Sequence, residues 1–155
     1  MSPNLELPPR SRNLVETSQS RVLVLDGAMG TALQSENLTA EDFGGEALEG
    51  CNENLNLTRP ELIQKIHENY LKAGCDIIET NTFGGTPLVL AEYGLGERAH
   101  EINRRAAEIA RAAATRHSTP EKPRWVAGSI GPTTKSLSVT GGVTFDELVE
   151  HFHCQ

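Results

Sequence analysis

Short apolar blocks, separated by longer stretches with a helical period, dominate the pattern of this chain. The first block covers residues 22–25 and lies in a predicted strand at 21–25. It is apolar at every position, which is typical of a strand buried on both faces. Shorter blocks within 75–80 and 125–127 predict two further strands. Each block is followed by glycines, so we predict that every strand leaves the sheet at a glycine-rich turn.

Helical periods separate these blocks. Thr58 and Glu61 have the spacing of a capping box, Pro60 suits a first helical turn, and Gly74 is a typical stop. The predicted helix buries residues at helical spacing, namely Leu62, Ile63, Ile66 and Tyr70.

A second helix is predicted over roughly 97–116, and a third begins at a capping box formed by Thr144 and Glu147. The buried stripe of the second consists of Ile102, Ala106, Ile109, Ala110 and Ala113. Strand and helix thus alternate three times, which predicts an α/β fold with a parallel sheet and right-handed crossovers.

Two segments lack such a period. Residues 1–20 are rich in Pro, Ser and Asn and are predicted to be a mobile tail with a short helical turn near Leu14. Residues 35–57 are polar and glycine-rich and predict a long loop over the strand ends. The predicted folded domain therefore spans residues 21–155.

Composition narrows the class of protein. The chain has 155 residues, 37% hydrophobic and 23% charged, which is typical of one globular domain. Its net charge of −7 argues against nucleic acid or an anionic membrane as a partner. No apolar run approaches the ~20 residues of a membrane span. Residues 1–20 lack a signal peptide's apolar core, so we expect a cytoplasmic protein.

The richest candidate site follows the first strand, where Asp26 is succeeded by Gly27, Ala28, Met29 and Gly30. Ligands of parallel sheets bind at the carboxyl ends of the strands. The Asp26 carboxylate is placed to pair with an ammonium group, and the backbone N–H groups of 27–31 to bind a carboxylate. Equally, Asp26 is placed to cap a short helix, and the residues alone leave both interpretations open.

Polar residues also follow the other two strands. Asn81, Thr82 and Phe83 follow the second, and Ser129 and Thr133 flank the exit of the third. They are placed to contact a ligand, although isolated polar residues on loops more often form turns.

Glu79 lies near the end of an apolar strand, where an unpaired carboxylate is costly. It is either paired structurally or part of the site, and the structural role is slightly favoured.

No metal or nucleotide motif is evident. His151 and His153 lie two positions apart and do not share a helix face, and Cys51 and Cys75 have no neighbouring cysteine. Three cysteines make no disulfide framework. The glycine spacing at 27–30 is too short for a dinucleotide fingerprint, and no P-loop is present.

The motifs together resemble those of the homocysteine S-methyltransferase family, and within it the N-terminal homocysteine-binding domain of cobalamin-dependent methionine synthases. The resemblance runs in order from about residue 21 to 152. It is carried by the stretches 24–31, 56–61, 73–84, 127–133 and 144–148.

The resemblance implies a (β/α)8 TIM barrel in which zinc binds the sulfur of homocysteine and makes its thiolate available. The methyl group then comes from methylcobalamin, which methyltetrahydrofolate recharges on later domains. The resemblance also implies substrate contacts at Asp26, Gly27, Ala28, Met29, Gly30, Thr82, Phe83 and Ser129.

The chain also departs from the family. It has three of eight barrel strands, and a barrel needs ~250 residues. The zinc-binding Cys-Cys pair and the cobalamin domain have no counterpart, and Cys51, Cys75 and Cys154 do not match the ligand positions. We therefore expect a truncated fragment, the first three βα units of a barrel, that binds homocysteine but is inactive alone.

Two alternatives stay open. The first is a non-catalytic half-barrel that pairs with a complementary chain or with itself to cover its open strand edges. The second is an unrelated barrel enzyme for a phosphorylated substrate. It is weak, because barrel phosphate sites usually follow strands seven and eight.

Overall fold

The computed structural model describes residues 9–137 and 141–155, without the side chains of 9–12. It is a mixed α/β fold with two parallel strands, β1 (Ile77–Glu79) and β2 (Trp125–Ala127). Their register pairs Ile78 with Val126. Both strands lie within the blocks predicted from the sequence.

The other regular elements of the described chain are helices. They are α1 (Pro9–Ser20), α2 (Met29–Gln34), α3 (Ala40–Phe43), α4 (Leu55–Thr58), α5 (Pro60–Ala73), α6 (Pro87–Leu90), α7 (Ala99–His117) and α8 (Phe145–Cys154). Single 3-10 turns lie at Glu46–Leu48, Asn52–Asn54, Ala91–Tyr93 and Gly96–Arg98. Among the described helices none is long and apolar enough to cross a membrane.

The first predicted strand is only partly present. Segment 22–26 runs beside β1, with the Asp26 N–H donating to the Ile77 carbonyl at 3.0 Å, but it forms a single bridge, from Leu25 to Ile77. Val22 is 85% exposed and Leu25 48%. The prediction that both faces are buried is wrong, because within the described chain this segment has a strand neighbour on one side only.

Helix α5 agrees with its prediction except at its start. Pro60 occupies the first turn, and Gly74 ends the helix with a φ of 114°, a left-handed value that favours glycine. The predicted capping box is wrong. Thr58 already belongs to α4 and donates to the Asn54 carbonyl, whereas Glu61 forms an ion pair with Arg59.

The main core lies between α5, α7 and β1. The predicted stripe of α7 is buried throughout, and its alanines let α5 approach closely. Ile78 of β1 is completely buried, in a cluster with Leu71 of α5 and Ala110 of α7. The helices thus hold β1 in place from one side.

The segments without a period contain more structure than predicted. Helix α1 covers most of the predicted tail beyond its turn near Leu14, and residues 1–8 lie outside the described chain. Within 35–57, Thr39 and Asp42 form a capping box, and the apolar Phe43 and Leu55 are buried in the core. These few buried residues order a loop that is otherwise polar.

Helix α8 begins at the predicted capping box. The Thr144 N–H donates to Glu147 at 2.7 Å, and the Thr144 hydroxyl accepts from the Glu147 N–H. Just after the helix, the Gln155 amide donates to the Thr82 carbonyl at 2.7 Å and to the Ser129 carbonyl at 3.1 Å. The end of α8 is therefore tied to the exits of β1 and β2.

Candidate functional site

A cleft of about 340 Å³ opens at the carboxyl ends of the strands. Predicted contact residues that line it are Asp26, Gly27, Ala28, Met29, Gly30, Phe83 and Ser129. Further lining residues are Asn52, Glu53, Glu79, Thr80 and Asn81. The fold therefore brings the three glycine-rich exits together, as a parallel sheet requires.

Asp26 stands at the edge of this cleft, half-buried. Its Oδ1 accepts the Glu79 N–H at 2.9 Å, which joins the end of segment 22–26 to the end of β1. Burial raises the pKa of Asp26 to about 6; the hydrogen bond from Glu79 opposes this, and the negative charge of Glu79 adds to it. An ionised Asp26 is thus costly until a cation approaches.

The helix-capping alternative for Asp26 is wrong. The residue that caps α2 is Ala28, which has left-handed backbone angles (φ 49°, ψ 40°) and makes no side-chain cap hydrogen bond. Within the described chain the backbone N–H groups of 27–31 donate to no other group. Such free N–H groups beside a cleft suit the oxygens of a carboxylate.

Glu79 combines the two roles weighed from the sequence. Its Oε2 accepts the Ser129 hydroxyl at 3.1 Å, across the β1–β2 pair. It also lines the cleft beside Asp26. Glu79 is therefore both structurally paired and part of the candidate site.

Glu53 and Asn52 line the cleft from a loop in which the sequence shows no motif. The Glu53 carboxylate accepts the Gly84 N–H at 2.7 Å, and the Asn52 carbonyl accepts the Asn81 amide at 2.8 Å. These contacts fasten the loop over the exit of β1. No sequence signal marks either residue, because the partners are about thirty positions away.

Thr82 lies behind the cleft. It is 4% exposed, and its hydroxyl donates to the Ser129 carbonyl at 2.8 Å. Phe83, in contrast, is 61% exposed and lines the cleft. Thr133 lies away from the lining residues, and its hydroxyl donates to the Lys135 carbonyl.

Gly131 sets the distance between the exits of β2 and β1. Its N–H donates to the Phe83 carbonyl at 3.0 Å. A Cβ at this position would lie 2.4 Å from that carbonyl oxygen, so any larger residue would push the exits apart. Glycine here keeps Phe83 beside the cleft.

The cysteines and histidines of the described chain do not fit a zinc site. Among residues 9–137 and 141–155 no group of three or more His, Cys, Asp or Glu could hold a metal ion. Burial raises the pKa of Cys51 to about 11 and also raises that of Cys75, whereas zinc binds thiolates. His151 and His153 belong to no metal-binding group of the described chain.

Comparison with models of protein families identifies the family of this chain. The model of the family described as "Homocysteine S-methyltransferase" matches residues 23–155. The chain belongs to the homocysteine S-methyltransferase family.

Members of this family similar to the chain include two methionine synthases. That of Mycobacterium leprae is 48% identical over 123 residues, and that of Mycobacterium tuberculosis 46% identical over 123 residues. Both alignments cover 79% of this chain and 10% of the relative. The chain thus spans about a tenth of the length of these methionine synthases.

Solved structures agree. The homocysteine methyltransferase MmuM from Escherichia coli, in its oxidised form, matches with a TM-score of 0.64 at 28% identity, over 81% of this chain and 41% of that one. Its metallated form matches with a TM-score of 0.63 at 27% identity, over 77% and 41%. The chain shares its fold with part of a homocysteine methyltransferase.

Proposed function

We propose that this chain binds homocysteine as the amino-acid-holding part of a methionine synthase, with a fold that corresponds to the first three βα units of a (β/α)8 barrel. The observation that carries the proposal is Asp26, a half-buried carboxylate in a cleft whose described lining contains no cationic side chain. A ligand ammonium would supply the missing charge.

The cleft offers complementary groups for the whole amino acid. Asp26 would bind the ammonium group, and the free N–H groups of 27–31 would bind the carboxylate. The exposed ring of Phe83 would cover the aliphatic part of the ligand. Thr82 and Ser129 would support this surface by holding the exits of β1 and β2 together.

The reaction that such a site serves is methyl transfer to the sulfur of homocysteine, which gives methionine. Family resemblance implies zinc for the sulfur and methylcobalamin as methyl donor. The described cysteines and histidines do not fit zinc. Amino-acid binding is the activity that these residues support.

Calorimetric titration with L-homocysteine tests the proposal. Wild-type chain should bind, and Asp26→Asn should weaken binding about tenfold or more, since the variant loses a charge-assisted hydrogen bond. Glu121→Gln removes an exposed carboxylate far from the cleft and is the matched control. No binding by the wild type, or equal effects of both variants, would overturn the proposal.

One observation favours a second function, that of a half-barrel assembly module. Val22, Val24 and Leu25 are 85%, 54% and 48% exposed along a segment that has a strand neighbour on one side only. A complementary chain, or a second copy, would cover this edge. Size-exclusion chromatography with light scattering tests this function. A chain that stays monomeric at high concentration, also when a complementary barrel chain is added, would contradict it.

A further inference from the structure

Two carboxylates share the cleft without a cation between them. Asp26 and Glu79 end neighbouring strand segments, and the N–H of Glu79 bonds to the Asp26 carboxylate at 2.9 Å. Burial is the main cause of the raised pKa of Asp26, and the charge of Glu79 adds to it. Two like charges lining one half-buried cleft favour retention of a proton or uptake of a cation.

Other groups around Asp26 do not relieve this repulsion. From the turn at 52–54, Glu53 adds a third carboxylate to the lining. From the start of β1, the Cys75 thiol is neutral and has its own pKa raised, in part by Asp26. Helix α2 has no titratable side chain, and the exit of β2 offers the hydroxyl of Ser129.

The side chain of Glu79 is held in place by Ser129, at the exit of β2. The Ser129 hydroxyl donates to one of its carboxylate oxygens at 3.1 Å, so the orientation of Glu79 is fixed from β2. In the described chain its other oxygen has no partner, and the residue lines the cleft. Purely structural pairing would not require a position beside a second carboxylate.

We propose that Glu79 is the second carboxylate of the ammonium site, positioned by Ser129, and that Asp26 and Glu79 together bind one primary ammonium group in exchange for a proton. This inference rests on the proposed function and adds a residue and a proton to it. The ligand is an amino acid with a free ammonium group.

The exchange of a proton for an ammonium group conserves protons and charge. Without ligand the pair retains a proton at mildly acidic pH. When the ammonium group enters with its own three protons, the pair's proton leaves to solvent, and two carboxylates then face one cation. Binding should therefore release about half a proton near pH 6, more as the pH falls below 6, and almost none well above pH 7. Affinity for the amino acid should rise with pH between these limits.

Calorimetry in two buffers of different ionisation enthalpy measures this proton directly. At pH 5.5 the wild type should release most of one proton per L-homocysteine bound, and at pH 8 close to none. Glu79→Gln should reduce the release at pH 5.5 without abolishing it, because burial still raises the pKa of Asp26, and should weaken binding at pH 8 about tenfold. N-acetylhomocysteine, which lacks the ammonium group, should show no proton release. Glu121→Gln is the control.

Carbon-13 NMR titration of the Asp26 carboxyl provides a readout that needs no ligand. Replacement of Glu79 by Gln should lower the pKa of Asp26, because a nearby negative charge is lost. Ser129→Ala should leave that pKa raised but weaken homocysteine binding, since it frees Glu79 to move.

The outcomes separate the two proposals. If Glu79→Gln binds L-homocysteine with wild-type affinity and an unchanged pH profile, the role of Glu79 is overturned while the proposed function stands. If the wild type fails to bind at pH 8 yet the Asp26 titration responds to Glu79→Gln, the proposed function is overturned and the carboxylate pair stands.

Discussion

The two ends of the strands hold aspartates in opposite electrostatic surroundings. At the amino end, buried Asp76 accepts two hydrogen bonds from Arg21, at 2.9 and 2.8 Å, and one from the Val24 N–H at 3.0 Å. The hydrogen bonds from Arg21 are the main reason that the pKa of Asp76 falls to about 2. At the carboxyl end, burial raises the pKa of Asp26 to about 6.

The difference is that one aspartate is paired with a cation of the chain and the other is not. Asp76 has its cation within the chain, and Arg124 donates from the same end to the carbonyls of Gly74 and His117, where α5 and α7 finish. Asp26 has two other carboxylates in its cleft and no cationic side chain in the described lining. The amino end thus has its counter-charge within the chain, whereas under the proposed function a ligand cation would supply the counter-charge at the carboxyl end.

The largest expected effect lies at the amino end. Asp76→Asn removes an ion pair and should lower the free energy of unfolding by about 2 kcal/mol at pH 7. Because the folded pKa of Asp76 lies below its unfolded value, this stability is present above about pH 4 and is lost as pH falls towards 2. Urea unfolding of both proteins from pH 7 to pH 3 should show the difference shrink.

Exposed Asp146→Asn is the matched control and should stay within about 0.5 kcal/mol of wild type. A loss for Asp76→Asn that does not depend on pH would mean that Arg21 contributes through packing and not through charge.

Features set by residues close together in the sequence can be predicted from it, whereas contacts between distant residues cannot. The buried stripe of α7, the stop at Gly74 and the position of Asp26 at a strand exit all follow from neighbours within a few residues. The pair of Arg21 with Asp76 spans 55 positions, and that of Glu53 with Gly84 spans 31. No local pattern encodes such contacts, so they cannot be predicted from the sequence.

Two wrong predictions have the same kind of cause. The apolar run at 22–25 predicts burial, but burial depends on which elements lie beside the segment, and Val22 is 85% exposed. The spacing of Thr58 and Glu61 predicts a capping box, but α4 already includes Thr58. In each case a neighbouring element decides the outcome, and the pattern alone does not include it.

The next largest effect tests the backbone at the amino end. Gly74 has a φ of 114°, and a Cβ there would have its nearest contact, Lys122 Nζ, at 3.7 Å, so space is not the constraint. Gly74→Ala should cost about 1 kcal/mol, because roughly 1–2 kcal/mol of backbone strain is offset in part by about 0.4–1 kcal/mol of lost unfolded-state entropy. Thermal unfolding measures it. A neutral result would mean that the turn relaxes and that the amino end tolerates change.

At the carboxyl end the sign should reverse. Asp26→Asn keeps an acceptor for the Glu79 N–H but removes a charge whose burial is unfavourable. Because the folded pKa is raised, the penalty grows as pH rises from about 4 through 6, so the variant should gain about 1 kcal/mol at pH 8, after allowance for solvent screening, and nothing at pH 4.

Urea unfolding at the two pH values checks this sign, with Glu121→Gln as the control. Destabilisation at pH 8, as for Asp76→Asn, would mean that both aspartates stabilise the fold, and the contrast between the two ends would be lost.

The smallest effect concerns the backbone beside Asp26. Ala28 has a φ of 49°, a conformation that costs a residue with a Cβ about 1–2 kcal/mol. Glycine would remove this cost but add about 0.4–1 kcal/mol of unfolded-state entropy, so Ala28→Gly should gain about 0.5 kcal/mol. Urea unfolding at pH 7, read beside Gly74→Ala, measures both substitutions on one scale. If Gly74→Ala lowers the free energy of unfolding and Ala28→Gly raises it, glycine relieves backbone strain at the amino end, and strain is retained at the cleft, where residues 27–31 keep their N–H groups free. If both variants are less stable than wild type, that distinction is lost.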